Sequence, residues 1–515
     1  MYPGTFAAST PDKAAIVMAD TGEELTYAEL EDRSIRLARA LAAAGLSRGD
    51  HLAFVADNCP EVFVILWAGL RSGLYVTAVN HHLASGEARF IVNDSGAKAL
   101  IVSAAQGALA RELLDETHGV VVRLAFGADV AGYESYERAL TESSSTPPAD
   151  QPRGIDMLYS SGTTGRPKGI KPALPQRQVG DTGDPFLTVF APRFGFDEDM
   201  VYYSPAPTYH AAPLRFGAIV HSVGGTVVMT KKFDAEQSLQ VIDRYRITHS
   251  QWVPTMFVRM LKLDPGIRAA SGFSSLRVAI HAAAPCPVEV KQQMIDWWGP
   301  ILYEYYSSTE GNGVTLIGPE EWLRHPGSVG QAVLGVIHIC ADDGTEVPTG
   351  EVGDVYFERD ELPFEYHNDP HKTREAKHPL HDNWTTTGDV GFVDDDGYLY
   401  LTDRKAFTII SGGVNIYPQE VEDCLVLHPK VADVAVIGVP DHEMGEQVLA
   451  VVQPAAGIAV DAELERELLD FMRPRIARYK TPRSIQFTDQ LPRSATGKLV
   501  KGALKSRYSQ SDSRS

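Results

Sequence analysis

Between Thr26 and Ala104 the chain alternates helix-like and strand-like segments, and this alternation constrains its fold more than any other feature. LTYAELEDRSIRLARALAAAGL has Thr26 at its second position and Glu29 three residues on, a capping-box signature. Leu30, Leu37 and Leu41 then share one helical face, and Gly45 stands at the helix end, where a left-handed residue is favoured. HLAFVADN reads as a strand. The apolar run Val62–Leu70 is too short to cross a bilayer and reads as a buried helix carrying Trp67. AKALIVSA, residues 97–104, reads as a further strand. Strands separated by helices pair in parallel, so stacked α/β layers are expected.

The texture changes near Asp403–Lys405. Turn-rich β segments, GEVGDVYFE and DDDGYLYLTDRK, lie before it; VADVAVIGVPD, EQVLAVVQP and the helix-like DAELERELLDFMRPRI lie after it. This predicts a large α/β domain over residues 1–403 and a small α+β domain over 404–515. TESSSTPPADQPRG, residues 141–154, is expected to be an exposed connection inside the large domain, and the polar tail SRYSQSDSRS to be mobile.

The formal net charge of −20 argues against a non-specific nucleic-acid binder and against anchoring to anionic lipid. The four cysteines are scattered without metal-ligand spacing. With an N-terminus lacking a basic region and apolar core, they predict a reduced, cytoplasmic protein.

YSSGTTGRPKG, residues 159–169, follows the strand-like IDMLYS. Gly162, Gly165 and Gly169 let the backbone turn tightly and approach a ligand. Ser160, Ser161, Thr163 and Thr164 add hydroxyl donors, and Lys168 adds a compact cation. A polyphosphate suits that combination. The Walker pattern is not met, because Lys168 lies between Pro167 and Gly169. On composition alone, a flexible surface loop is an equal alternative.

Four further motifs follow in order: YYSSTEG (305–311), TTGDVG (386–391), DRKAFTIISGGVNIYPQEVE (403–422) and LPRSATGKLVK (491–501). With the phosphate loop, they make nearly the whole chain resemble the adenylate-forming superfamily of acyl-CoA synthetases, luciferases and peptide-synthetase adenylation domains. The likeness is strongest to a bacterial acyl-CoA synthetase. It implies a large N-terminal domain of stacked α/β layers and a small mobile C-terminal domain, with the hinge at the boundary placed above.

The resemblance also implies roles. A carboxylate is a poor electrophile; transfer to the α-phosphate of ATP gives an acyl-adenylate with AMP as leaving group, and cations must meet the charge that develops. Lys498 would bridge the carboxylate and the α-phosphate; alone it would read as a solvated loop lysine. Ser160, Ser161, Gly162, Thr163, Thr164, Gly165 and Lys168 would cradle the phosphates. Glu310 would hold Mg²⁺ and Thr309 would bond a phosphate or the metal shell. Asp389 would accept the ribose hydroxyls, or merely cap a turn. Arg404 would fix ribose or phosphate, or make a surface ion pair. Tyr306 would stack on adenine and Glu304 would reach its amino group, while Tyr305 is assigned to β-core packing. In HAAAPCP (281–287) the adenine turn, Ala283, Ala284 and Pro285, carries alanines at 282 and 283 where glycines are common; backbone contacts survive if φ stays negative. His210, in PAPTYHAAPL, would gate the acid's carboxylate, with a structural histidine as the bland alternative. Gly412 and Gly413 would line the pantetheine tunnel for coenzyme A, and are also ordinary turn residues. Ala406 stands where the hinge is usually charged.

No acid follows His210 to hold an α-amine, which disfavours amino-acid substrates. No carrier domain follows Lys498, which favours coenzyme A as acceptor. Ala211, Ala212 and the alanines after His281 predict a roomy apolar pocket for a bulky aryl-alkanoic, sterol-like or fatty acid, with Ser307 narrowing one wall. The expected activity is an ATP-dependent carboxylic acid–CoA ligase. An acyl-AMP ligase that loads a carrier protein and a non-catalytic nucleotide-binding regulator are the competing readings, and a homodimer is left open.

Overall fold

The structure is a computed structural model that describes residues 2–160, 167–412, 414–493 and 499–509. Two large sheets, with a three-stranded one of Leu158–Ser160, Lys168–Lys171 and Glu365–Tyr366 beside them, form the stacked layers of the large domain. The first runs, edge to edge, through Glu134–Ser135, Val122–Phe126, Ala97–Ser103, His51–Val55, Tyr75–Val79 and Ile155–Asp156, all paired in parallel. The second runs from Gln331–Leu334 through Val314–Ile317, Leu302–Ser307, Val278–His281, His249–Trp252, Val201–Ser204, Thr226–Met229 and Ala14–Met18 to Glu23–Thr26. Its middle is parallel and its edges antiparallel.

The expected helix spans Tyr27–Ala43. Thr26 Oγ1 accepts from the Glu29 amide at 3.2 Å, and Glu29 accepts from the Thr26 amide at 2.8 Å, so two otherwise orphaned donors are satisfied. Leu30, Leu37 and Leu41 are fully buried, and Gly45 takes a φ of +91° at the exit. The apolar run forms the helix Glu61–Leu70, with every residue from Val62 to Leu70 buried. Uniform burial explains why no polar face interrupts that run. Among the described residues no helix is long and apolar enough to cross a membrane. The connection at 141–154 is largely exposed and pinned by Arg36 and Arg39, which donate to the carbonyls of Ser143, Thr146 and Pro147.

An antiparallel sheet of Val336–Cys340, Gly353–Glu358, Asp389–Val393 and Leu399–Arg404 follows, with Trp384–Thr385 at its side. The chain leaves it at Arg404, turns through a short 3₁₀ segment at Lys405–Phe407, and enters a separate sheet with its own core around Val421, Leu425, Val436, Ala450 and Leu468. This smaller α+β body touches the large domain through the helix Pro418–Val426. Lys262 Nζ donates to the carbonyls of Val426 and Val431 at 3.1 and 2.6 Å, satisfying acceptors at that helix end and beyond it.

Candidate active site

The strands flanking the glycine-rich loop pair antiparallel. Ser160 and Tyr159, at the end of Leu158–Ser160, pair with Lys168 and Gly169 of Lys168–Lys171. At Gly169 a Cβ would lie 2.9 Å from the Tyr159 ring and 3.1 Å from His367, so no side chain fits. Lys168 Nζ lies 5.3 Å from the centroid of the Tyr366 ring, and Tyr366 donates its hydroxyl to Glu310 Oε1 at 2.9 Å. Burial first, and then Glu310, push the Tyr366 phenol well above its ordinary pKa, so it stays a donor to that carboxylate. Tyr366 thus links the lysine of one motif to the acid of the next. Ser161, Gly162, Thr163, Thr164, Gly165, Gly413, Lys498 and the tail from Gln510 lie outside the described residues.

The turn after Leu302–Ser307 carries Thr309 and Glu310. Ser307 Oγ donates to the Gly313 carbonyl at 2.8 Å, Ser308 Oγ donates to Asn312 at 2.9 Å, and Gly311 takes a φ of +65°. Arg215 supports the turn from below. Its guanidinium grips Asp156, with Nε at 3.0 Å and Nη2 at 2.8 Å from Oδ2, and Nη2 also donates to the Thr309 carbonyl at 3.3 Å. Asp156 lies four residues before Ser160, and Arg215 lies five residues after His210. One part-buried ion pair therefore ties three candidate segments together.

Asp389 is 8% exposed, and its carboxylate has a fixed orientation. Tyr306 and Thr387 each donate a hydroxyl to Oδ2 at 2.7 Å, and Arg404 Nε donates to Oδ1 at 3.1 Å. Burial alone would lower the Arg404 pKa, but Asp389, with Tyr306 and Glu310, holds it above the ordinary value. The structure thus joins Tyr306, Asp389 and Arg404 in one network. Tyr305 points the other way on the strand and packs in the core, 5.1 Å from Phe190.

Two expectations need correction. Glu304 is not free to meet a base: its carboxylate is buried against Lys291 Nζ at 2.7 Å, with His281 Nε2 3.6 Å away. Burial raises its pKa and Lys291 opposes the rise. A side chain so committed cannot also turn to a base amino group without leaving Lys291 as an unpaired buried cation. In the adenine turn, φ at Ala283 is not negative but +75°, a region that costs an L-residue about 1–2 kcal/mol. Ala283, Ala284 and Pro285 are all exposed, so the strained backbone faces outward.

His210 caps the helix Ala211–Val223, its ring 4.6 Å from Tyr209. Tyr209 in turn meets His81 at 5.5 Å and His82 at 6.4 Å. Burial, and then His82, lower the His81 pKa. Asn58 anchors the segment: it accepts from the Thr208 amide at 2.8 Å and donates to the carbonyls of Ala206 and Thr230. His81, His82 and Tyr209 were missed from sequence. The available signal was the adjacent histidine pair just beyond the parallel strand Tyr75–Val79, where ligands of open α/β sheets gather. One turn after Ala212 the helix carries Phe216, which is 2% exposed.

In the smaller domain Gly412, φ +58°, borders a cavity of about 220 Å³ with Val414, Met444, Arg478 and Tyr479 on its walls. Its amide donates to the Met444 carbonyl at 2.7 Å, and a Cβ would meet Met444 Cε at 2.4 Å.

A fold of stacked α/β layers with a smaller C-terminal domain, carrying this sequence of motifs, defines an adenylate-forming enzyme. The chain belongs to the AMP-binding enzyme family: residues 5–366 match the AMP-binding enzyme domain and residues 420–498 match its C-terminal domain. It is 34% identical to a feruloyl-CoA synthase of an Amycolatopsis species over 95% of this chain and 94% of that one. It is 31% identical to the long-chain-fatty-acid–CoA ligase FadD13 of Mycobacterium tuberculosis over 98% and 97%. The ATP-bound crystal structure of MatB from Rhodopseudomonas palustris superposes with a TM-score of 0.80, at 28% identity, over 99% of both chains.

Proposed function

We propose that the protein is an ATP-dependent carboxylic acid–CoA ligase acting in two steps, with the hinge at residues 403–404. In the first step a carboxylate oxygen of the acid attacks the α-phosphorus of ATP, and the bond to pyrophosphate breaks. In the second the thiol sulfur of coenzyme A attacks the acyl carbon, the thiol proton is lost, and the bond to AMP breaks.

The observation that carries this reading is that Lys168, Tyr366 and Glu310 lie beside the Tyr306–Asp389–Arg404 network, with the Arg404 charge acting on both Glu310 and Tyr366. Cations and donors there suit a triphosphate, and Asp389, held by three partners, suits ribose hydroxyls. Ser160 with Ser161, Gly162, Thr163, Thr164 and Gly165 would bond the phosphates. Tyr306 would flank the adenine, and the exposed backbone at Ala283, Ala284 and Pro285 would meet its edge. Thr309 would bond a phosphate. Glu310 is an oxygen donor suited to Mg²⁺, which when bound would neutralise phosphate charge. His210 would orient the acid's carboxylate and Lys498 would bridge it to the α-phosphate. Gly412 and Gly413 would flank the pantetheine arm. The CoA-ligase names of the relatives support coenzyme A as acceptor.

The test is a panel of carboxylic acids with MgATP, assayed for pyrophosphate release and, with and without coenzyme A, for AMP and thioester. Acid-dependent pyrophosphate release with CoA-dependent AMP release is expected. Acyl-adenylate that forms but never passes to coenzyme A would move the assignment to an acyl-AMP ligase with another acceptor. No acid-dependent pyrophosphate at all would overturn adenylate formation itself.

A further inference from the structure

We propose that Phe216, with Phe190 and Tyr305, closes the acyl site with an aromatic floor and restricts the acid to a short chain or a single ring. The inference rests on the ligase reading, which places the acid's carboxylate beside His210, and takes Ser307 as part of the pocket wall.

Three elements carry the residues next to His210 and Ser307. On the helix Ala211–Val223, Ala212 is followed one turn later by Phe216. On the strand Leu302–Ser307, Ser307 and Tyr305 share a face. On the helix Pro185–Phe194, Phe186, Phe190 and Phe194 share a stripe. Phe186 is the outermost of the three: its ring tip would be 3.7 Å from a Cβ on Gly311, and the Arg215 guanidinium lies 5.3 Å from its centroid. One step inward, every element places a ring. The centroids of Phe190 and Phe216 are 5.0 Å apart, those of Phe190 and Tyr305 5.1 Å, and those of Phe216 and Tyr305 5.7 Å.

Rings at those separations are in direct contact, so the triangle has no gap for a methylene chain. The three residues are 1%, 2% and 8% exposed. Behind them the packing continues, with Phe194 5.6 Å from Phe190 and Tyr202 6.4 Å from Phe216. Four helical residues advance about 6 Å, and two strand residues about 6–7 Å. The room between carboxylate and floor is thus about one helical turn deep. The charge of Arg215 is already met by Asp156, so the wall is effectively neutral. A compact, uncharged acyl group fits such a pocket; a long aliphatic chain or a sterol side chain does not.

The test compares kcat/KM for butyrate, benzoate, octanoate and dodecanoate, read by pyrophosphate release, in the wild type and in Phe216→Ala. The wild type should favour the two compact acids over dodecanoate by at least about tenfold, and Phe216→Ala should erase most of that ratio. Phe190→Leu serves the same purpose if Phe216→Ala melts early. Calorimetric binding of butyryl- and dodecanoyl-sulfamoyladenosine gives a readout that needs no turnover: the short analogue should bind and the long one should bind only to the opened variant. Equal use of dodecanoate by the wild type, or an unchanged ratio in a folded variant, overturns the floor while leaving the ligase assignment standing. Failure of every acid to release pyrophosphate, with neither analogue bound, overturns the ligase reading first and the floor with it.

Discussion

Arg215 and Asp156 form a two-pronged ion pair, at 2.8 and 3.0 Å, between the helix that His210 begins and the strand segment that leads into the phosphate loop. Their side chains are 18% and 13% exposed. Removing one partner of a fully buried pair costs about 3–5 kcal/mol because the other charge is left uncompensated; this pair is only partly exposed, so each single loss should cost a large part of that, and removing both should cost less. Arg215→Met and Asp156→Ala should each lower the urea midpoint sharply, and the double variant should be more stable than either single. Arg215→Met should also depress adenylation, because the Thr309 carbonyl loses its donor. Single variants within about 0.5 kcal/mol of wild type would show that the pair is not holding these segments.

Ala283 sits at φ +75° in the exposed turn after the strand Val278–His281. Glycine adopts that region freely, at the cost of extra freedom in the unfolded chain of about 0.5–1 kcal/mol. The strain relieved is about 1–2 kcal/mol, so Ala283→Gly should be neutral to stabilising by about 1 kcal/mol. A thermal melt of the apo protein checks this; a clear loss of stability would mean the left-handed alanine is not strained.

Asp423, on the helix Pro418–Val426, has its carboxyl pushed up to about 7 by burial, with Glu422 and Asp403 adding to the rise and the Gln419 amide, 2.7 Å away, opposing it. The folded protein therefore holds this proton more tightly than the unfolded chain does. Stability from this group is full below the ordinary aspartate pKa near 4 and is lost as pH rises towards 7. Asp423→Asn keeps an oxygen acceptor for Gln419 and removes that loss. It should stabilise the protein at pH 8 by about 1–2 kcal/mol, a figure reduced for partial solvent screening, with little change at pH 4. Urea titrations at the two pH values decide it, and an equal effect at both would remove Asp423 titration as the cause.

What could be read from sequence was local. The Thr26–Glu29 box, the buried run Val62–Leu70 and the core position of Tyr305 depend on neighbours within a few residues, and each stands as read. Contacts set by tertiary packing were not legible. Tyr366 meets Glu310 across 56 residues, Arg215 meets Asp156 across 59, and Lys262 reaches Val426 across 164. Glu304 was misassigned for the same reason: its partner Lys291 lies on the preceding helix, packed against the strand, and nothing in YEYYSS marks that face as buried. The alanines at 211 and 212 suggested room because their own side chains are small. One turn away Phe216 meets rings from two other elements, a contact that those small side chains do not announce.

Lys498 offers the sharpest separation of the two half-reactions. In the proposed mechanism its charge is needed while the acid's carboxylate approaches the α-phosphate, where two anions must be brought together. Thioester formation from a finished acyl-adenylate involves no such approach and calls instead on the glycine hairpin around Gly412. Lys498→Ala should therefore reduce acid-dependent pyrophosphate release by about 10²–10³-fold, the range for loss of one electrostatic donor to a developing charge. Conversion of supplied acyl-adenylate and coenzyme A to thioester should fall by less than about threefold, well under the ~1.4 kcal/mol that a tenfold loss represents. Both rates are measurable on the same preparation by following pyrophosphate and thioester separately. Parallel losses in the two steps would mean that Lys498 acts on the fold or on nucleotide binding rather than on the adenylation transition state.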